Sequence, residues 1–563
     1  GATSIHLFPV TIEDTNDAPT SNTSVVFTTP EGVSWRTQTW NRVYGGNGND
    51  IMYDMIPAHD DGHLLVGTSD SNASGNKSNN SKGKKDFWVI KIDLAGNKLW
   101  DVTIGGSGDD HCAGITPTSD GNYLLFGSSD SPADGDKSQA SHGDDDFWIV
   151  KIDQNGSKIW DKRYGAGNAD RCRFALELNS GDFVLGGMSL SGTYADKESP
   201  GLGNEDAWLI RIDENGTKIW DYSYGGSSDD NLYNIEIMSD GNFLLFATSR
   251  SDSGDYKNSS KKGWDDYWAL KVNEHNGSII WDKSFGGSAA EYFPDGLLHE
   301  DGSFIMVGLS MDGSANSGDR QSSAKSTRDL WVVKADANGS ILWEKSFAGD
   351  SAKGMGWTTR IISHDDGGYL IANTTNGIAE NDVSRGPHHG DTQPDYWLLK
   401  IDASGNKVWD RRYGGYGGDY STNLLPSPDG GYFLIGNSGS IAGYDKSQAN
   451  VSEYGWISDF WVLKLDEHGN KANTLYDPDG DVLTWSISGG ADASYFEVNS
   501  TTGKISFSGA NYANPQDADQ NNDYDVTIRA TDTSGLHSEQ TVRLSIEYPF
   551  DEGNGDEFLQ AGL

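Results

Sequence analysis

The stretch Asp146-Phe147-Trp148-Ile149-Val150-Lys151-Ile152-Asp153-Gln154-Asn155-Gly156-Ser157-Lys158-Ile159-Trp160-Asp161 decides the fold, because it recurs down the chain. It reads as two β-strands rich in β-branched and aromatic residues, joined by an Asp-x-x-Gly turn whose Asn-Gly pair accepts the positive φ of a tight hairpin. The first Trp returns at 88, 148, 208, 268, 331, 397 and 461, and the second at 40, 100, 160, 220, 281, 343 and 409. Seven copies of each predict an array of repeated units.

One unit runs from Gly106 to Gly165. A loop, Gly106-Ser107-Gly108-Asp109-Asp110, leads into a strand near Cys112–Pro117. The turn Ser119-Asp120-Gly121-Asn122, the strand Tyr123–Gly127, a long polar loop and the two Trp-bearing strands follow. Four strands per unit without helical periodicity predict a blade of a β-propeller. The strand around Trp40 is of the fourth-strand type with no partners before it, and the last unit supplies only three strands, ending at Leu465. The N-terminal strand must therefore complete the seventh blade and shut the ring, bringing Thr39 beside Asp466. Lys151-x-Asp153-x-x-Gly156-x-x-x-Trp160 resembles the tryptophan-docking repeats of secreted and quinoprotein propellers. The repeated indoles are read as wedges between blades.

The flanks follow another pattern. Asp14-Thr15-Asn16-Asp17-Ala18-Pro19 resembles the linker between cadherin-type repeats, and Pro30-Glu31-Gly32 is similar to the end of a cadherin first strand. The pattern resumes past Asn473 with Asp477-Pro478-Asp479-Gly480-Asp481, Pro515-Gln516-Asp517-Ala518-Asp519 and Tyr524–Asp532. In this order the motifs look like the cadherin-like repeats of giant bacterial RTX adhesins. The fold class expected is all-β: a seven-bladed β-propeller inserted into a cadherin-like (Ig-like) β-sandwich. The expected division is 1–17, end strand and linker of a preceding repeat; 18–34 with 470–548, the split sandwich; 35–469, the propeller; and 549–563, a loose tail. Adjacent propeller ends are what insertion into a host domain requires. Residue 1 falls inside a strand-like segment, so the chain is expected to be a piece of something longer.

The resemblance implies calcium as cofactor. Asn16 and the Ala18 carbonyl would join Asp477, Asp479 and Asp532 around one ion, with Asp17 and Asp479 helping to hold others; Glu31, Asp517 and Asp519 match the distal set. An EF-hand reading of Asp477–Asp481 fails, because the glycine falls after the second Asp and position twelve of the loop is Ser488.

Formal charge is −42, from 84 Asp+Glu against 42 Lys+Arg, which repels phosphate backbones and anionic lipid surfaces. No apolar run reaches the roughly 18 residues of a spanning helix. The two cysteines, Cys112 and Cys172, are 60 residues apart and read either as buried thiols or as an inter-blade disulfide.

Turns between first and second strands and between third and fourth are short and uniform, whereas the other two loop classes are long, irregular and expected on one face. That face is the candidate binding surface. Asp110, Asp170 and Asp230 are read chiefly as braces for loop amides, and Gly-(Asp/Asn)-Lys-Ser at 75–78 and 135–138, with Tyr444-Asp445-Lys446-Ser447, as a repeated loop brace. Departures from the repeat mark ligand candidates: Arg171, Glu291, Tyr292, Trp357, Asp419 and Tyr420. Aromatic faces beside carboxylates and Arg suit sugar rings. Trp264, Trp456, His388 and His389 lie in other long loops.

No catalytic motif is found, so the chain is read as non-enzymatic, with a propeller glycosidase or lyase as the alternative. The expected function is the ligand-binding region of a secreted bacterial surface adhesin, extracellular and monomeric, of the kind involved in cell adhesion and biofilm. It would recognise a cell-surface glycan, or else a protein or peptide, and pack against flanking repeats of its own chain.

Overall fold

The computed structural model describes residues 10–12, 25–28, 39–348 except 61 and 255, 358–376, 379–386, 393–428, 431–451, 457–471, 484–498, 500, 505–507, 523–531 and 537–546. The chain divides into two compact units, Gln38–Gly469 and Gly1–Thr37 with Asn470–Leu563.

The larger unit is a seven-bladed β-propeller of four-stranded antiparallel sheets. Blade two is typical, with strands Asp110–Pro117, Tyr123–Ser129, Asp146–Ile152 and Lys158–Tyr164 paired in sequence order. Blades one to six begin at Asp50, Asp110, Asp170, Asp230, Glu291 and, among described residues, Arg360. Blade seven takes Asp419–Pro426, Tyr432–Ser438 and Asp459–Leu465 from the end of the unit and Trp40–Tyr44 from its beginning. The closing strand runs antiparallel in register from Trp40 opposite Lys464 to Tyr44 opposite Phe460.

The two tryptophan series do different work. All seven of the first series, such as Trp148, are fully buried. Each packs towards the residue before its counterpart in the preceding blade: Phe87 against Trp148 and Phe147 against Trp208 at 4.9 Å, Phe460 against Trp88 at 5.0 Å. In blades one to six the indole N–H is satisfied within its own blade by the acid after the second tryptophan, as in Trp148 Nε1 to Asp161 (3.1 Å) and Trp268 Nε1 to Asp282 (2.9 Å); blade seven has Asn41 at that place. The second series lies over the hairpin glycine of the next blade. A Cβ added to Gly96 would sit 3.1 Å from Trp40, and one on Gly156 2.9 Å from Trp100. Gly156 also takes φ 80°, so turn geometry and the overlying indole both select glycine there.

Cys112 and Cys172 are free, buried thiols, so no inter-blade disulfide forms. Each packs into a different blade junction, Cys112 with Ile115 and Trp148, Cys172 with Ala175 and Trp208, where it serves as a small apolar side chain.

In the smaller unit, Val25–Thr28 pairs antiparallel with the C-terminal strand His537–Ile546, which continues to Asp523–Thr531 and Thr484–Gly489. Strands from both sides of the propeller in sequence thus share one sheet. Val10–Ile12 lies parallel to Ile505–Phe507, which pairs antiparallel with Phe496–Val498.

Replacing Trp148 by Ala removes an indole that fills the junction between blades one and two. The expected loss is about 3–5 kcal/mol, read as a lowered denaturation midpoint for the propeller. An unchanged midpoint would show that the wedge is not what joins the blades.

Candidate functional site

The long-loop face is built on a polar belt that repeats from blade to blade. The first residue of each innermost strand, a residue of the second strand and the first residue of the third strand lie side by side: Asp50–Ser69–Asp86, Asp110–Ser129–Asp146 and Asp419–Ser438–Asp459. All of these residues are withdrawn from solvent, carboxylates and serines alike at 0% exposure. Asp110 Oδ2 accepts from the Gly106 amide (2.7 Å) and Ser131 Oγ (3.0 Å), tying the preceding loop to the following one. Asp170 and Asp230 do the same with Ala166 and Ser191, and with Gly226 and Ser251. These three are the amide braces expected from the sequence.

The lysine of the Gly-Asp-Lys-Ser loop belongs to the same belt. Lys77 and Lys137 each donate at 2.7 Å to the central serine of their own blade, Ser69 and Ser129, and Lys446 does so to Ser438. All three are buried, and the motif is a loop brace with no phosphate geometry. In blade five Arg320 takes the place of lysine and reaches Ser310 Oγ at 2.7 Å. Blade six has Val383 there, and Arg412 instead donates to Asp395 at 2.7 Å.

Two ligand candidates from the sequence are absorbed by this belt. Asp419 accepts from the Gly415 amide (2.8 Å) and Ser440 Oγ (2.8 Å), and Glu291 from the Gly287 amide (3.1 Å) and Ser310 Oγ (2.7 Å). Both are fully buried, so they hold the loops rather than face a ligand.

The next residue along the innermost strands varies from blade to blade. Ile51, His111, Arg171, Asn231, Tyr292 and Tyr420 occupy this register position in blades one to five and seven. Arg171, with a half-exposed side chain, donates from Nε to Asp145 of the neighbouring blade at 2.9 Å. Asn231 donates to Glu205 at 2.9 Å. Tyr420 is 48% exposed. Two residues further along the strand from Arg171, the Arg173 guanidinium lies 4.9 Å over Tyr233, whose ring meets Phe293 edge-on at 5.4 Å. A β-bulge in the innermost strands re-aims these side chains, and Phe293 takes φ 55° there. Below them Asp54 accepts from Asn423 Nδ2 (2.7 Å) and the Ile115 amide (3.2 Å), linking blades seven, one and two.

Arg171, Tyr292 and Tyr420 therefore share one register position of the innermost strands, in blades three, five and seven. Trp264 is 74% exposed on another loop of blade four. Trp357, Trp456, His388 and His389 lie outside the described residues, as do all the calcium candidates, Asn16, Asp17, Ala18, Glu31, Asp477, Asp479, Asp517, Asp519 and Asp532. Among the described residues no group of three or more His, Cys, Asp and Glu is placed to hold a metal. Sequence reasoning passed over the pairing of Tyr416 with Tyr444 on blade seven, whose ring centroids are 4.7 Å apart. The signal was present: Tyr444 stands where Gly75 and Gly135 stand in the matching loops.

Fold and site define a β-propeller with a fixed polar belt beneath one variable face. No family model matches the chain. The regulatory protein FlaEY of Caulobacter vibrioides is 24% identical over 231 residues, which span 39% of this chain and 24% of that protein. The chain thus covers about a quarter of the curated relative it matches. Solved structures similar to it include a polysaccharide lyase, an ulvan lyase, with TM-score 0.41 and 11% identity over 76% of this chain and 96% of that one. Drosophila Plexin A in complex with Semaphorin 1b gives TM-score 0.37 and 9% identity over 80% and 93%. A protein of unknown function from Dyadobacter fermentans gives TM-score 0.37 and 8% identity over 77% and 98%.

The belt makes stability depend on pH. Burial pushes Asp110 and Asp419 up to about 6, Glu291 and Asp459 to about 7, and Asp146 to about 8, the last also raised by Asp170. The folded form holds these protons where the unfolded chain has released them, so the stability they lend is present in acid and is lost as pH rises through 6–8. Asp161 behaves oppositely: burial raises it, but hydrogen bonds from Lys158, the Ser138 amide and Trp148 outweigh that and hold its carboxyl below the ordinary value. Its contribution is lost as the medium becomes strongly acidic. The propeller melting temperature should therefore fall between about pH 5 and about pH 8, as followed by calorimetry at constant ionic strength. A flat profile would mean the belt carboxyls are ionised in the folded state at no cost.

Proposed function

We propose that the long-loop face of the propeller is a recognition surface for a cell-surface glycan, and that the chain is the ligand-presenting part of an extracellular bacterial adhesin. The observation that carries this reading is the variable position of the innermost strands. One register position, repeated around an otherwise regular ring, holds Arg171, Tyr292 and Tyr420 in three different blades. Side chains that differ between blades at one position of a rigid scaffold are what a specific binding surface needs. Tyrosine faces accept the apolar CH surface of a sugar ring, and a guanidinium with carboxylates nearby supplies donors and acceptors for its hydroxyls.

A glycan array probed with the whole chain tests the reading, followed by titration of the best ligand. Tyr420→Ala and Arg171→Ala should each weaken binding roughly tenfold, about 1.4 kcal/mol, with the melting temperature unchanged. Capture of a protein partner that free sugars do not compete would favour a protein or peptide ligand, and turnover of a bound polysaccharide would favour a glycosidase or lyase.

In the same reading the smaller unit is a cadherin-like extender stiffened by calcium at Asn16, Asp477, Asp479 and Asp532. Hard oxygen ligands in this pattern suit Ca²⁺. Chelating calcium should lower the melting temperature of the smaller unit and leave the propeller transition in place, and Asp479→Asn should reproduce the effect in the presence of calcium. A calorimetric trace indifferent to chelation would remove calcium from the account.

A further inference from the structure

Blade seven departs from the repeat at two loops that meet. In the loop after the second strand, one residue takes left-handed backbone in every blade where it is described: Gly75 (φ 56°), Gly135 (54°), Ala195 (50°), Gly318 (55°), Asn381 (54°) and Tyr444 (53°). The slot is also tight, since a Cβ on Gly135 would lie 2.3 Å from the Gly105 carbonyl oxygen, and one on Gly75 2.6 Å from that of Gly45. An aromatic side chain is the poorest choice for such a position. Burial in the core does not offset the strain, because Tyr444 is 44% exposed.

Its ring lies against Tyr416, 4.7 Å between centroids and tilted by 47°. Tyr416 is itself 41% exposed and stands where the other blades carry Asn47, Ser107, Gly167, Ser227 and Ser288. A glycine makes the pair possible. Gly443, matched by Gly254 in blade four, stands where the other blades carry Ser74, Asp134, Tyr194, Ser317 and Glu380, and a Cβ on it would come within 2.6 Å of Tyr416 Cε2. Beneath the pair the loop brace is intact, with Lys446 on Ser438 Oγ at 2.7 Å and the Asp445 amide on the Gly414 carbonyl at 3.1 Å. Two exposed tyrosines, one held in a costly conformation and the other given room by a glycine, mark a site where strain is kept for use.

We propose that Tyr416 and Tyr444 form a stacking platform for an uncharged pyranose ring, a proposal that rests on the glycan reading above and gives it a contact surface. A pair of exposed tyrosine rings offers apolar surface to the CH face of a sugar, and its phenol groups can hydrogen-bond to hydroxyls. The formal charge of −42 disfavours uronic or sulfated sugars. Two rings are far too small an area for a stable protein interface, which needs about 1,000 Å² or more.

The test is affinity electrophoresis of the whole chain through gels containing soluble starch, xylan or galactomannan, with polygalacturonate as the anionic comparison. Tyr444→Gly and Tyr416→Ser restore what other blades carry, so neither should impair folding. Tyr444→Gly is expected to melt at or above the wild-type temperature, yet to lose retardation by roughly tenfold in apparent affinity. Tyr444→Phe should keep most of it. If both restoring variants are retarded like wild type while Tyr420→Ala is not, the platform is overturned and the glycan reading stands. Stronger retardation by polygalacturonate than by the neutral polymers overturns the uncharged class. If the wild type is retarded by none of the gels, platform and glycan reading fall together.

Discussion

The whole propeller depends on five residues, Trp40–Tyr44, pairing with Asp459–Leu465. Without that pairing blade seven would be a three-stranded sheet with an open edge, and open edges invite association. The junction to blade one would also lose two contacts at once: the Trp40 indole over Gly96, and the Tyr44 hydroxyl that donates to the Gly96 carbonyl at 2.7 Å. The same hydroxyl-to-hairpin bond recurs from Tyr224 to Gly277 at 2.7 Å. Each blade therefore leans on the next, and the series is consistent only when the last leans on the first.

On this ring the chemistry separates into a constant layer and a variable one. The constant layer is the buried belt of carboxylates and serines with lysines or arginines among them, which spends its polar groups on loop amides and leaves the loop backbones little freedom. Substitutions there stay within the brace, as with Arg320 for lysine or Arg412 standing in where Val383 occurs. The variable layer sits one residue further along each innermost strand and at the loop tips, where neighbouring blades need not agree.

Much of this was legible in the sequence. The tryptophan spacing announced the blades, the unpaired strand at Trp40 announced the closure, and the loop lysines announced a brace. Other features were not legible, for physical reasons. Glu291 and Asp419 looked like departures open to a ligand, but they hold the same register position as Asp110, and burial there follows from the sheet rather than from the residue type. The contact of Tyr416 with Tyr444 joins two loops 28 positions apart (444 − 416) that come together only once the blade has folded. The free thiols were equally hidden, since equal spacing in a repeat places side chains at equivalent points of different junctions, not near each other.

The closing pair has a mechanical consequence. Trp40, where the ring's first strand starts, sits opposite Lys464, near where its last strand finishes. A load drawn through both ends of the unit would bear on the same end of two antiparallel neighbours. Their hydrogen bonds would then fail one after another, like a zip, instead of sharing the force in parallel. The ring would open at blade seven first, and the tyrosine pair carried by that blade would be the earliest to feel the pull.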